Sequence, residues 1–158
     1  MFTDSSRAHL PLKGYVVLSG VYAGTMACLF YWAHRTGRIP DTIPMRDVVL
    51  LGVGAHRSAR DLSRDKVLTF LREPFTEYEG VAGALPGEVR EHHRHGGALR
   101  EATADLVTCP YCLAQWTASG LFAVYLANRP LARLMGGILT AVTIADFLHT
   151  AYVRANRT

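Results

Sequence analysis

Two stretches of this chain are long enough and bare enough of charge to demand an apolar surrounding. From Gly14 to Ala33 no charged residue occurs. That is about 30 Å of helix at ~1.5 Å per residue, the thickness of a bilayer's hydrocarbon core. The run from Leu106 to Asn128 is equally uncharged. A third, Leu131 to Val153, is apolar except for Arg133, Asp146 and His149. The expected class is therefore all-α: an integral membrane helical bundle with three to four transmembrane helices, in one domain over residues 1–158. Membrane helices are expected over 14–34, 106–128 and 131–153. The first could be mistaken for a signal peptide, but it is too long for an apolar signal core and no A-x-A site precedes His34-Arg35. A retained anchor is expected, within a multi-pass protein of the cell membrane.

Between the first two runs the chain changes character. Thr36-Gly37-Arg38-Ile39-Pro40 and Pro44 mark a loop, and Asp47 is placed to cap a helix over 47–72 that Pro74 stops. Its apolar part, Val48 to Ala55, is too short to span alone, so this helix either crosses obliquely or lies at the interface. Arg57, Arg60 and Arg64 recur on one side, with Arg57/Asp61 and Asp61/Arg64 able to pair locally. Such a face is expected to be solvated, or to lie against anionic headgroups or an acidic partner. Residues 76–100, punctuated by Gly80, Gly83, Pro86, Gly87, Gly96 and Gly97, read as a surface loop. The loop carries His92-His93-Arg94-His95, a cluster expected to be solvated rather than metal-bound.

Charge orients the bundle. The chain has a net charge of +4 and a pI near 9.2. Its arginines mostly flank apolar segments, and neither an RNA-binding aromatic motif nor paired zinc-finger histidines occur, so nucleic acid is not an expected partner. Lys and Arg number two before Gly14, three in the first loop, eight from Arg57 to Arg100, two near the 128–133 turn and two in the tail. With or without a crossing by the second helix, the charged middle region falls in the cytoplasm. Cytoplasmic thiols are kept reduced, so a static disulfide is not expected.

The chemistry concentrates in Thr108-Cys109-Pro110-Tyr111-Cys112-Leu113-Ala114-Gln115-Trp116. Proline favours the first turn of a helix, which puts Cys109 near the N-cap. Unpaired backbone N–H groups and the positive end of the helix dipole then face its sulfur, an arrangement suited to nucleophilic exchange. Cys109 and Cys112 also supply half of a tetrahedral zinc site, which needs two further ligands. The plain alternative is that the motif shapes a helix entry and packs there. Cys28, in line with Gly20-x-x-x-Gly24, reads as a small packing residue. Gly137, Ala141 and Ala145 offer the last helix a similar small face.

The turn Asn128-Arg129-Pro130 is short enough to force an antiparallel hairpin. Reflecting positions through it brings Asp146 and His149 to the depth of Cys109 and Cys112. A central charged residue costs about 2.5–3.5 kcal/mol on insertion, so Asp146 should have a partner or a proton. One polar site of Cys109, Cys112, His149 and Asp146 is the sharpest expectation, holding zinc or tuning a thiol through His149. The plain one pairs Asp146 with Thr143, Thr150 or His149.

The segment Ala55-His56-Arg57-Ser58-Ala59-Arg60, then Asp65-Lys66, then Leu71-Arg72-Glu73-Pro74-Phe75, followed by Leu106 to Leu113 and Trp116, resembles the bacterial membrane family catalogued as domain of unknown function 1360. The similarity covers about Val48 to Tyr152. Some of that family's members carry a sporulation label, and others occur in actinobacteria or their phages. The resemblance implies a membrane setting and weight on Cys109, Cys112 and Trp116, and it implies no reaction. The expected role is a structural or partner-binding membrane component, working with another membrane protein or as a homo-oligomer. The alternatives are zinc binding or thiol redox through Cys109 and Cys112, and a phage-type lysis or pore protein.

Overall fold

The computed structural model describes residues 10–82, 87–94 and 96–156. In chain order these form α1 Leu12–Arg35, α2 Met45–Arg64, α3 Thr69–Arg72, β1 Thr76–Val81, β2 Val89–His93, α4 Ala98–Thr108, α5 Pro110–Ala127 and α6 Arg129–Ala155. The fold is mainly helical, as the apolar runs require. Helices α1 and α6 are long and apolar enough to cross a membrane.

Four of the helices run alongside one another, and side-chain pairs fix their directions. Tyr22 meets Ser119 at one level of α1 and α5, and Arg38 just past α1 reaches the carbonyls of Leu126 and Ala127, so these two helices run the same way. Asp47 pairs with Arg133 and Arg57 with Asp146, which makes α2 and α6 parallel. Tyr125 bonds Asp47 and Thr117 bonds the Ala55 carbonyl, so α5 runs against α2. One end of the bundle thus gathers the 36–44 loop and the α5–α6 turn. The other gathers the start of α1, the β-hairpin, α4 and the two close cysteines.

Helix α2 is the centre of the packing. Its buried residues, Asp47, Leu51, Gly54, Ala55, Ala59 and Ser63, lie on one stripe at helical spacing. That stripe packs against both α5 and α6 more extensively than they pack against each other. Leu51 and Ala55 join Leu121, Tyr125 and Ala132 in the core. Closest approach comes at Gly54 and Gly136, where an added methyl on Gly54 would lie 3.4 Å from the Gly136 Cα. The small face of α6 is therefore Ala132 and Gly136; Gly137, Ala141 and Ala145 do not supply it, and a methyl on Gly137 would meet open space.

Both ends of α2 differ from expectation. Asp47 is not its cap: the helix starts at Met45 behind Pro44, and Asp47 sits in the first turn, 1% exposed. The helix stops at Arg64 instead of continuing to residue 72. Asp65 turns extended, its carboxylate accepts from the Val67 N–H, and it bridges to Glu88 of the hairpin. The side chain of Arg72 then donates to the Leu62 carbonyl that the broken helix leaves open, and to the Asp65 carbonyl beside it.

The expected surface loop over 76–100 is in fact an antiparallel hairpin followed by the first turn of α4. Register runs from Thr76 opposite His93 to Val81 opposite Val89, with an irregularity between Tyr78 and Gly80. A buried ion pair anchors it. Arg72 donates to both Glu91 oxygens at 2.7–3.0 Å, and Thr76 donates to Glu91 at 2.6 Å. Burial pushes the Glu91 carboxyl up, but the hydrogen bonds from Arg72 and Thr76 outweigh it and hold the group below the ordinary glutamate range.

The expected helix over 106–128 is divided at Cys109, whose extended backbone (φ −102°, ψ 106°) separates α4 from α5. The cause is Pro110, which disfavours helical geometry in the residue before it. At Asn128-Arg129-Pro130 the break is a capped turn: Asn128 is extended, its side chain accepts from the Leu131 N–H, and α6 starts at Arg129. Beyond the end of α1, the Gly37 N–H reaches the His34 carbonyl, and the Gly37 φ of +64° turns the chain so that the Arg38 N–H reaches Ala33.

Candidate functional site

At the start of α5 the cysteine pair adopts the capping geometry that its spacing calls for. The Cys112 backbone N–H points at Cys109 Sγ at 3.2 Å, and Cys112 Sγ lies 2.7 Å from the same sulfur. The two are free thiols, with Cys112 exposed and Cys109 partly so. Cys109 thus receives a backbone donor and has the second sulfur against it. In a dithiol the backbone donor distinguishes the two sulfurs, Cys109 being the one that faces the helix N–H.

Beside them lies a cavity of about 520 Å³ between α1, α4 and α5. Tyr15, Tyr22 and Trp116 provide aromatic walls, Leu18 and Leu106 apolar ones, and Cys112 opens onto it. Trp116 meets Tyr22 edge to face, with ring centroids 5.0 Å apart. The Tyr15 hydroxyl donates to Asp105 at 2.6 Å, and His93 Nδ1 of the hairpin lies 3.5 Å from the other Asp105 oxygen. A chain of polar groups therefore leads from a half-exposed histidine to the cavity beside the thiols. Asp105 and Tyr15 are residues that sequence reasoning missed, because only the packing of α1 on α4 brings them together.

Asp146 and His149 lie elsewhere. Both face a groove between α2 and α6 that also holds His56, Arg60 and Arg154. Asp146 is paired with Arg57, so it has a partner, but neither a cysteine nor a hydroxyl. The expected set of Cys109, Cys112, His149 and Asp146 is thus not assembled. The physical reason is α2, which lies between α5 and α6 and interposes Arg57. Among the described residues no three His, Cys, Asp or Glu side chains group as metal ligands. A tetrahedral zinc at the two sulfurs would have to take its two further ligands from outside the described residues or from a second chain.

Two arginines of the strip are paired within the fold. Arg57, with its side chain 16% exposed, also donates to Asp61 at 2.8 Å, and Arg60 grips Glu88 at 2.6–2.8 Å. The second expected local pair, Asp61 with Arg64, gives way to these. Of the histidine cluster, His93 turns to Asp105, His92 stacks near it, and His95 lies outside the described residues. Cys28 is exposed on α1, and methyls added to Gly20 or Gly24 would meet nothing, so that stripe does not pack against the described residues.

A family model described as "Protein of unknown function (DUF1360)" matches residues 50–152. The chain belongs to this family. The match spans most of α2, the hairpin, α4, α5 and nearly all of α6, and so includes Cys109 and Cys112. Among curated proteins and among solved structures, none matches significantly.

Proposed function

We propose that this family member is a multi-pass membrane protein whose Cys109/Cys112 pair exchanges electrons with the disulfides or thiols of a partner protein. The observation that carries the reading is the Cys109 sulfur at an accessible helix start, accepting from the Cys112 N–H with the Cys112 sulfur beside it. Cys109 attacks a partner disulfide, one partner sulfur leaves with a proton, and a mixed disulfide forms. Cys112 then attacks Cys109, closing the internal disulfide and releasing the partner's second thiol. Two electrons pass to the partner and the sulfurs balance. Partner binding, the broader role expected for this chain, is part of the same cycle.

The membrane arrangement proposed has four crossings. Helix α2 has too short an apolar run to span unaided. Here it runs parallel to α6 with Asp47 and Arg57 paired to α6 charges of opposite sign, which lowers the cost of carrying them. The hairpin end then carries the first two, the middle eight and the tail two basic residues, against three and two at the other end. This puts the cysteines on the cytoplasmic side. In sealed vesicles of known orientation, Asp41→Cys should label only from the outside. Labelling from the cytoplasmic side alone would leave three crossings.

The exchange itself is tested with full-length protein carrying Cys28→Ser, treated with oxidised glutathione. The pair should close to an internal disulfide, and Cys112→Ser should stop at one glutathione on Cys109. Glutathione on Cys112 in the Cys109→Ser protein at the same rate, or no reaction at either, would overturn the assignment of roles.

A further inference from the structure

The cavity beside the thiols raises a question that the exchange reading leaves open: what takes the electrons when the pair acts on a partner's thiols instead of its disulfides. Oxidising a protein dithiol leaves Cys109 and Cys112 reduced, and they need an acceptor of two electrons and two protons. The cavity describes such an acceptor chemically. At about 520 Å³ it lies within the range of small-molecule sites, too small for a folded partner and large enough for a ring with substituents. Its walls favour a flat, apolar guest, since Tyr15, Tyr22 and Trp116 offer ring surfaces and Leu18 and Leu106 offer aliphatic ones.

Position and polarity narrow the guest further. One wall is α1, long and apolar enough to cross a membrane and exposed along most of its length, so a lipid-dissolved molecule would reach the cavity from the bilayer. Cys112 opens directly onto the space, and Gln115 and the Tyr15 hydroxyl supply polar groups at its edge. Tyr15 is bonded to Asp105, which faces His93 on the hairpin. That row gives protons a path between the cavity and the aqueous side.

We infer that the α1–α4–α5 cavity binds a lipid-soluble quinone, which oxidises the Cys109/Cys112 dithiol. The inference rests on the dithiol reading above. Two S–H bonds break and one S–S bond forms. The electron pair passes to the quinone ring, and its two oxygens take up two protons to give the quinol, directly or through Tyr15, Asp105 and His93. No other reactant is required. Trp116 and Tyr22 hold the ring beside Cys112 and are binding residues, while Tyr15 and Asp105 are positioning residues for the proton path.

The test uses full-length Cys28→Ser protein in detergent, reduced and freed of reductant. The probe is a fully ring-substituted short-chain ubiquinone, which leaves no ring position for a stable thiol adduct. One quinol should appear for each pair of thiols lost to alkylation, and both Cys109→Ser and Cys112→Ser should abolish it. Trp116→Ala and Tyr22→Ala should each lower the quinone rate roughly tenfold relative to the rate with oxidised glutathione, the size of one lost ring contact. If oxidised glutathione closes the disulfide and the quinone does not, the cavity inference fails while the exchange reading stands. If neither closes it, both fail. If the quinone reacts equally with wild type, Trp116→Ala and Tyr22→Ala, it acts from solution and the site is overturned.

Discussion

Helix α5 presents two faces that differ in how completely they are covered. Toward α2, Thr117, Leu121 and Tyr125 are enclosed, and the Tyr125 hydroxyl, 1% exposed as a residue, ends on the Asp47–Arg133 pair. Toward α1, Cys112, Gln115 and Trp116 border a cavity, Ser119 meets the Tyr22 hydroxyl, and α1 touches this side mainly through α4. The helix is apolar all round, so its own composition does not tell the faces apart. What separates them is the neighbour: α2 brings a matched small-residue seam and opposite charges, whereas α1 brings aromatic rings that leave a gap. The closed face holds the bundle together and the open one is free for chemistry.

That contrast can be broken most forcefully at Asp47. Asp47→Ala leaves the Tyr125 hydroxyl and the half-buried Arg133 guanidinium without their acceptor. The loss should be about 2–3 kcal/mol, less than for a fully buried pair because Arg133 reaches solvent. Denaturation in detergent micelles measures it. A cost below about 0.5 kcal/mol would mean that the closed face is not where stability resides.

The next effect lies on the open side, at the close approach of α1 to α4. A methyl on Gly14 would run into the Ala98 carbonyl and the Ala102 side chain of α4. Gly14→Ala should therefore cost about 1–2 kcal/mol and push α1 from α4, widening the cavity. Faster alkylation of Cys112, with the Asp47–Arg133 seam intact, is the expected signature. Unchanged Cys112 reactivity would mean that α1 does not shape the site.

Acid sharpens the comparison more gently. The Glu91 carboxyl is lowered in the folded protein, so its contribution to the hairpin is fully present above the ordinary glutamate value of 4.5 and is lost as pH falls through the lowered one. Hydrogen-exchange protection of β1 and β2 should drop over that window, loosening His93 from Asp105 on the open side. Glu91→Gln should remove the step, and a step that persists in this variant would assign it to another group. Smallest of all is Gly20→Ala, where a methyl meets nothing; stability should move by less than about 0.5 kcal/mol. A larger loss would reveal a neighbour for the Gly20/Gly24/Cys28 stripe, such as a second copy of the chain.

The sequence by itself determined the local events. Uncharged runs marked α1 and α5, Pro110 placed Cys109 at a helix start, and Asn128-Arg129-Pro130 set the hairpin of α5 and α6. These depend on residues next to one another, where backbone geometry and caps act over a single turn. Only the tertiary structure decided who faces whom. Reflection through the 128–130 turn put Asp146 and His149 beside the cysteines on the assumption that α5 and α6 touch along their length. Helix α2 separates them there, and Arg57 takes Asp146 instead. Likewise Asp47 reads as a cap until Arg133 and Tyr125, 86 and 78 residues away, turn it into a buried anchor. Ion pairs and cavities are set by which helices become neighbours, a choice made by the summed fit of whole faces, and no short window of sequence contains it.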